Sequence, residues 1–402
     1  MKLSKLSKGL LAATVSLGVG LGITSCGESN TIDYLYVTAN KEDPGQISVY
    51  RVDLESGALT QIQDSPYTTT DRDPVGLVTS PNGSYLYTID QISNTIVKFD
   101  IGTDAKLYPR NTYNLVGSTP TSIAVNAAGT YLYVVNTYAP GYSSSNTGPG
   151  DLEVYPINSD GSLGSAITNG NVSYFTVQEN PESVNVTENN DFVYVVNQNT
   201  SAGAGTISAF SVNTSTGALT TVSGSPFAAG VTPNSSVSDP TSRFYYVTDS
   251  STNQLIAYTI GSTGALTPLE NGPFSTGTYP DAVTIDPSGT YIYVANYNSN
   301  SVSAYQITQS TGAPSGLSGS ATYSTDTGPT CVLVEPAFGK FLYTTNFLGN
   351  TISGFELNTN SGVLTGTENS PYPSAGQPTC VAAVTHGNHA GEHVQSTSGN
   401  GA

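Results

Sequence analysis

The sequence predicts an all-β fold, a seven-bladed β-propeller of four-stranded blades, and three observations carry that prediction. An aromatic-led strand recurs seven times, 46 to 61 residues apart: YLYVTAN (34–40), YLYTID (85–90), YLYVVN (131–136), FVYVVN (192–197), FYYVTD (244–249), YIYVAN (291–296) and FLYTTN (341–346). A strand opening on proline also recurs seven times, at Pro74, Pro120, Pro181, Pro233, Pro280, Pro329 and Pro378. The two series are offset, because the first aromatic strand has no Pro-led strand before it and the last Pro-led strand has no aromatic strand after it. Four-stranded units repeating about every 50 residues are the mark of a propeller, which closes a ring of sheets and leaves only short, protected edges. The offset makes residues 378–384 the innermost strand of the blade whose other strands lie within 31–67, so the two ends of the chain close the ring together.

Residues 1–25 read as a secretory signal of the lipoprotein type. Lys2, Lys5 and Lys8 form a basic start, Gly9 to Ile23 is a short apolar run, and ITSC ends it at Cys26. ITSC resembles a bacterial lipobox, which makes Cys26 the lipidated first residue of the exported chain; the alternative is an ordinary signal with an incidental Cys. Residues 26–30 then form a linker, 31–385 the propeller and 386–402 a disordered tail. That tail carries all three histidines, His386, His389 and His393. Within each repeat the aromatic strand is followed by a second alternating strand, such as TISAFSV or SVSAYQI, and by a turn and third strand, clearest in STGALTTVSGSPF (215–227).

Formal charge is −18, and loss of the three lysines in residues 1–25 makes it −21. So acidic a surface keeps the protein soluble and argues against nucleic acid and anionic lipid headgroups as partners; a monomer is expected. The residue two past each leading Pro is small (Gly76, Ser122, Ser183, Ser235, Ala282, Cys331 or Cys380), as close approach of blades at the axis requires. Equivalent side chains point the same way round a ring. Cys331 and Cys380 are therefore expected as free, buried thiols, although an oxidising compartment permits a disulfide.

In this topology the loops entering each Pro and those following each YVxN strand frame one mouth of the central channel. Arg72, Asp73, Glu182, Asn234, Tyr279 and Asp281 are the candidate ligand-binding residues there. Asp73, Glu182 and Asp281, on three blades, are also the only candidate catalytic groups. They either hold a divalent cation such as Ca²⁺ or Mg²⁺ through oxygen ligands, or form a solvated acidic rim; no other cofactor is indicated. The Asn or Asp ending every aromatic strand recurs in all seven repeats, which suits a turn-capping role.

The YVxN strand followed by a T-I-S-A-F-type strand resembles the YVTN-repeat propellers and, more broadly, the seven-bladed lactonase family that includes propeller-type 6-phosphogluconolactonases. The resemblance implies lactone hydrolysis. Lactonase-type members carry a GPRH-like strand start, then HPDG, then a strand ending Asn-Glu. In GPTCVLVEPAFGKFLYTTNF (328–347), Gly328, Pro329 and Asn346 match, whereas Thr330 and Cys331 replace the Arg-His pair, Glu335 the second His and Phe347 the Glu. The expectation is thus an exported, lipid-anchored binding or scaffold module presenting its channel mouth to a glycan, small molecule or protein. The alternative is a hydrolase of the lactonase family that uses the mouth carboxylates.

Overall fold

The computed structural model describes residues 30–69, 73–198, 203–317, 321–386 and the pair 399–400. Seven antiparallel sheets surround one axis, and their inner strands neighbour one another in an unbroken circle. Counting from the N-terminus, the first blade joins both ends of the chain: Pro378–Thr385 lies innermost and pairs with Thr31–Ala39, with Tyr36 opposite Ala382. The inner strands of blades two to seven begin at Pro74, Ser118, Pro181, Pro233, Pro280 and Pro329. The expected seven blades and the expected closure are both present. His386 continues the closing strand: its amide donates to the Ile32 carbonyl at 2.9 Å and its ring meets Tyr34 edge-on.

The outer strand of most blades comes in two short pieces that pair with opposite ends of the same third strand. In blade four, Leu219–Thr221 and Phe227–Ala228 both pair with Thr206–Val212, and the Ser-Pro step between them has no amide to offer the ladder at Pro226. Strands buried on both faces explain the near-continuous Val, Ile and Tyr runs. Between blades three and four, Leu152, Val154 and Phe175 pack on Val184, Val193 and Val195.

Neighbouring blades are also latched by one repeated contact. Tyr36, Tyr87, Tyr194, Tyr246, Tyr293 and Tyr343 are fully buried, and each donates its hydroxyl to a backbone carbonyl in the outer turn of the next blade. In five of the six that carbonyl belongs to a glycine: Gly161, Gly264, Gly312, Gly362 or Gly57. The glycine lies on the ring of the aromatic residue that opens the preceding blade's second strand. A Cβ on Gly362, at φ 72°, would stand 2.4 Å from the Tyr291 ring. Turn geometry alone therefore does not account for these glycines.

Gly399–Asn400 pairs antiparallel with Ile123 and Ser122 of the third blade's inner strand. Cys26, His389, His393 and Arg72 lie outside the described residues.

Candidate functional site

In every blade the ladder between the inner and second strands slips immediately after the opening proline. The residue after the proline is left out of the pairing, and a bulge of this kind re-aims the side chain it carries. Seven such residues form a ring at the channel mouth: Thr379, Val75, Thr121, Glu182, Asn234, Asp281 and Thr330, in blade order. The three threonines tie blade to blade. Thr121 donates to the Pro181 carbonyl at 2.7 Å, Thr379 to that of Pro74 at 2.9 Å and Thr330 to that of Pro378 at 3.4 Å.

Blades four, five and six depart from that arrangement, carrying Glu182, Asn234 and Asp281 at consecutive positions. Asn180 Nδ2 donates to Glu182 Oε1 at 2.8 Å and to Gln198 Oε1 at 2.9 Å. Gln198 Nε2 donates to Asn234 Oδ1 at 3.2 Å, and Asn234 Nδ2 donates to Asp281 Oδ1 at 3.0 Å. Asp281 and Asn234 are buried, while Glu182 keeps part of its surface open to the channel. Asp281 Oδ2 is buried with no hydrogen-bond partner among the described residues. Burial, and next the charge of Asp281, pushes the Glu182 carboxyl up to about 8 against the opposing Asn180 hydrogen bond. Burial pushes Asp281 up to about 7, opposed by the Asn234 amide. Two carboxyls that titrate near neutrality thus face one mouth, joined by amides rather than by cations.

Tyr279 stands beside them, 37% exposed, its ring 5.8 Å from that of Tyr297. It holds φ 57°, an uncommon conformation for an aromatic residue, and Asn253 Oδ1 pins its amide at 2.8 Å. The same pin recurs elsewhere: Asn94 holds Thr119, Asn300 holds Gly328 and Asn350 holds Gln377, each the residue before or just before a leading Pro.

Four of the six ligand-binding candidates (Glu182, Asn234, Tyr279 and Asp281) therefore converge. Asp73 does not join them. It precedes its proline, as Tyr279 does, and its carbonyl accepts the Gln91 amide at 2.9 Å. Among the described residues no three His, Cys, Asp or Glu side chains are grouped to share a metal ion. A cation at this mouth would rest on two carboxylates supplemented by amide oxygens.

The residues aligned with the lactonase motif serve the fold. Thr330 is fully buried, donating its hydroxyl towards the Pro378 and Thr379 carbonyls of the next blade, and Glu335 is fully buried, accepting the Phe338 amide at 3.0 Å. Of the Asn and Asp residues ending the second strands, Asp249 and Asn296 hold turns. Asp249 accepts the Val231 and Thr232 amides at 2.7 and 3.1 Å, and Asn296 accepts that of Gly277 at 3.0 Å.

Two buried acidic pairs were not legible in the sequence. Asp33 and Glu335, from blades one and seven, are both raised by burial, and Asp33 further by the charge of Glu335. In blade three, Asp151 and Glu153 share Asn136 Nδ2 at 2.7 and 2.8 Å, and burial raises Asp151 to about 8. Asp33, Asp151 and Glu153 lie on strands, where alternation predicts only an outward or inward side chain, and Glu335 follows directly on one, so nothing local announces either pair.

A family model described as "Lactonase, 7-bladed beta-propeller" matches residues 34–383. No curated protein sequence matches the chain. Among solved structures, a proposed 6-phosphogluconolactonase from Bacteroides fragilis superposes with a TM-score of 0.71 at 19% identity, covering 89% of this chain and 99% of that one. The Pseudomonas aeruginosa periplasmic gluconolactonase gives 0.71 at 16% identity, covering 88% of this chain and 99% of its own. A protein from Lactobacillus plantarum gives 0.70 at 19%, covering 88% and 99%. At such identities the structures speak for the fold alone, whereas the family model spans nearly all of the described ring: the chain belongs to the lactonase family of seven-bladed β-propellers.

Proposed function

We propose that this propeller hydrolyses an uncharged lactone at the mouth formed by Glu182, Asn234, Tyr279 and Asp281. The observation that carries the reading is the replacement of blade-tying residues by two carboxyls whose affinity for protons falls near neutrality. A general acid–base pair works best in that range. With Glu182 raised to about 8 and Asp281 to about 7, Glu182 keeps its proton at neutral pH while part of the Asp281 population is ionised. Asp281, the more acidic, takes a proton from water as its oxygen bonds to the lactone carbonyl carbon. The ring C–O bond then breaks, and the leaving alkoxide takes the proton held by Glu182. The product is a hydroxy acid, and repulsion from the acidic rim favours its release. Tyr279 and Tyr297 offer an aromatic face to the ring being opened.

Charge narrows the substrate. Of the described cations, Lys98 and Arg110 pair with Asp100, and Lys106 pairs with Asp64, all away from the mouth. Among the described cations only Lys41 belongs to a loop on this face. A phosphorylated sugar acid would meet uncompensated negative charge, so neutral sugar or aliphatic lactones fit better. The test is hydroxy-acid formation from a lactone panel, with and without Ca²⁺ or Mg²⁺. Turnover that Asp281→Asn abolishes supports the reading; absence of turnover throughout contradicts it.

A second reading, a binding or scaffold module for a glycan or protein, is favoured by one observation. The positions where lactonase-type members carry Arg-His and a second His hold Thr330, Cys331 and Glu335, all committed to internal contacts. Saturable binding of a lactone or glycan without turnover would support it. Export with lipid on Cys26 belongs to both readings, and the periplasmic address in the name of the Pseudomonas protein agrees with it. Cys26→Ser should move the protein from the membrane to the soluble fraction of the envelope; unchanged membrane association would contradict lipidation.

A further inference from the structure

We infer that Cys331 and Cys380 form a disulfide in the oxidised protein and that this bond locks the strand that closes the ring. Both cysteines are free, buried thiols here, as expected, but their side chains do not point away from one another: the two sulfurs stand 2.8 Å apart. A covalent S–S bond is about 2.0 Å, so closing the gap requires only a small shift.

The reason for the meeting is a contact repeated around the channel. The side chain two past the proline leans towards the following blade and accepts an amide there. Ser122 accepts from Val184 at 3.2 Å, Ser235 from Val283 at 3.4 Å and Cys331 from Val381 at 3.4 Å. Ser183, two past Pro181, instead meets Ser236, three past Pro233, at 2.9 Å. Only between blades seven and one are both residues cysteines. Cys380 lies on Pro378–Thr385, the strand whose hydrogen bonds to Thr31–Ala39 join the two ends of the propeller. A bond to Cys331 adds a covalent tie from that strand to blade seven, independent of the N-terminal strand.

The chemistry requires a partner that is reduced. A protein or small-molecule disulfide is attacked by one cysteine thiolate, giving a mixed disulfide and releasing one thiol. The second cysteine then displaces the other, so that two protons and two electrons leave the pair and the partner ends as two thiols. Burial of both sulfurs places this exchange before or during docking of the closing strand.

Lys340 is the only tryptic site between the two cysteines. Full-length protein isolated from the envelope of an exporting host would be alkylated during lysis, denatured and cut with trypsin. The expected result is that the segments on either side of Lys340 stay joined until reductant is added, and that Cys331 and Cys380 take up label only afterwards. Two cysteines labelled before reduction, with the segments already separate, would overturn the disulfide. The lock is tested separately: reductant should lower the midpoint of thermal unfolding by about 5 °C in wild type and leave Cys331→Ser/Cys380→Ser unmoved. An equal, unchanged midpoint in oxidised and reduced wild type would overturn the lock.

Discussion

Glu182 and Asp281 give the protein a dependence on pH whose sign is fixed. Each carboxyl binds its proton more tightly in the fold, at about 8 and about 7, than in the unfolded chain at roughly 4. The folded state therefore holds more protons between those values, and its stability is full below pH 4 and declines as pH rises towards 8. Glu182→Gln, which keeps the shape and removes the titration, should be the more stable protein at pH 9 by on the order of 1–3 kcal/mol and nearly unchanged at pH 4. Urea unfolding at the two pH values measures this; equal effects at both would refute the raised carboxyl. Hydrolysis should likewise show a bell with limbs near 7 and 8, and Asp281→Asn should abolish turnover at every pH across it. These residues were legible in the sequence because each sits beside a recurring proline. Asn180, which links Glu182 to Gln198, was not, since it precedes a proline and nothing in its type marks it as a bridge. Asp73 looked equivalent to Glu182 only because proximity to proline does not distinguish the residue before it from the bulged residue after it.

At the scale of the strand and turn, the blades are joined by contacts the repeat made visible but did not explain. The aromatic residues and turn glycines could be counted in the sequence; their meeting across blades depends on a geometry that appears only when the ring closes. Gly362→Ala should cost about 2–4 kcal/mol, from the left-handed φ and the Tyr291 ring in the path of the new methyl. Gly366, with nothing within 4 Å of such a methyl, is the control and should change stability by less than about 0.5 kcal/mol. A similar loss in both would show that the contact with Tyr291 is not the cause. Tyr343→Phe removes a buried 2.6 Å hydrogen bond to Gly57 and should cost about 1–2 kcal/mol in the same assay. The Asn253 pin makes a different demand. Asn253→Ala frees the Tyr279 amide, so it should weaken lactone binding as well as stability, which a purely structural turn would not do.

At the scale of the whole molecule, the fold follows from two counts and an offset: seven aromatic strands, seven Pro-led strands, and a missing partner at each end. Closure was legible because those unpaired strands could satisfy their backbone only by pairing with one another. Removal of residues 378–402 should leave the 31–39 strand with an open edge and give a chain that aggregates or fails to unfold cooperatively, read by calorimetry. Activity was less legible than fold, because seven equivalent loops surround one mouth and composition cannot say which three will carry the exceptional side chains. The most direct measurement is the rate of lactone opening across pH 5 to 10 by wild type and by Glu182→Gln/Asp281→Asn. The account predicts bell-shaped turnover of a neutral lactone, reduced at least about 100-fold in the double variant while that variant stays folded and no less stable than wild type. Turnover that survives in the double variant, or a wild type that opens no lactone above the uncatalysed rate, would contradict it.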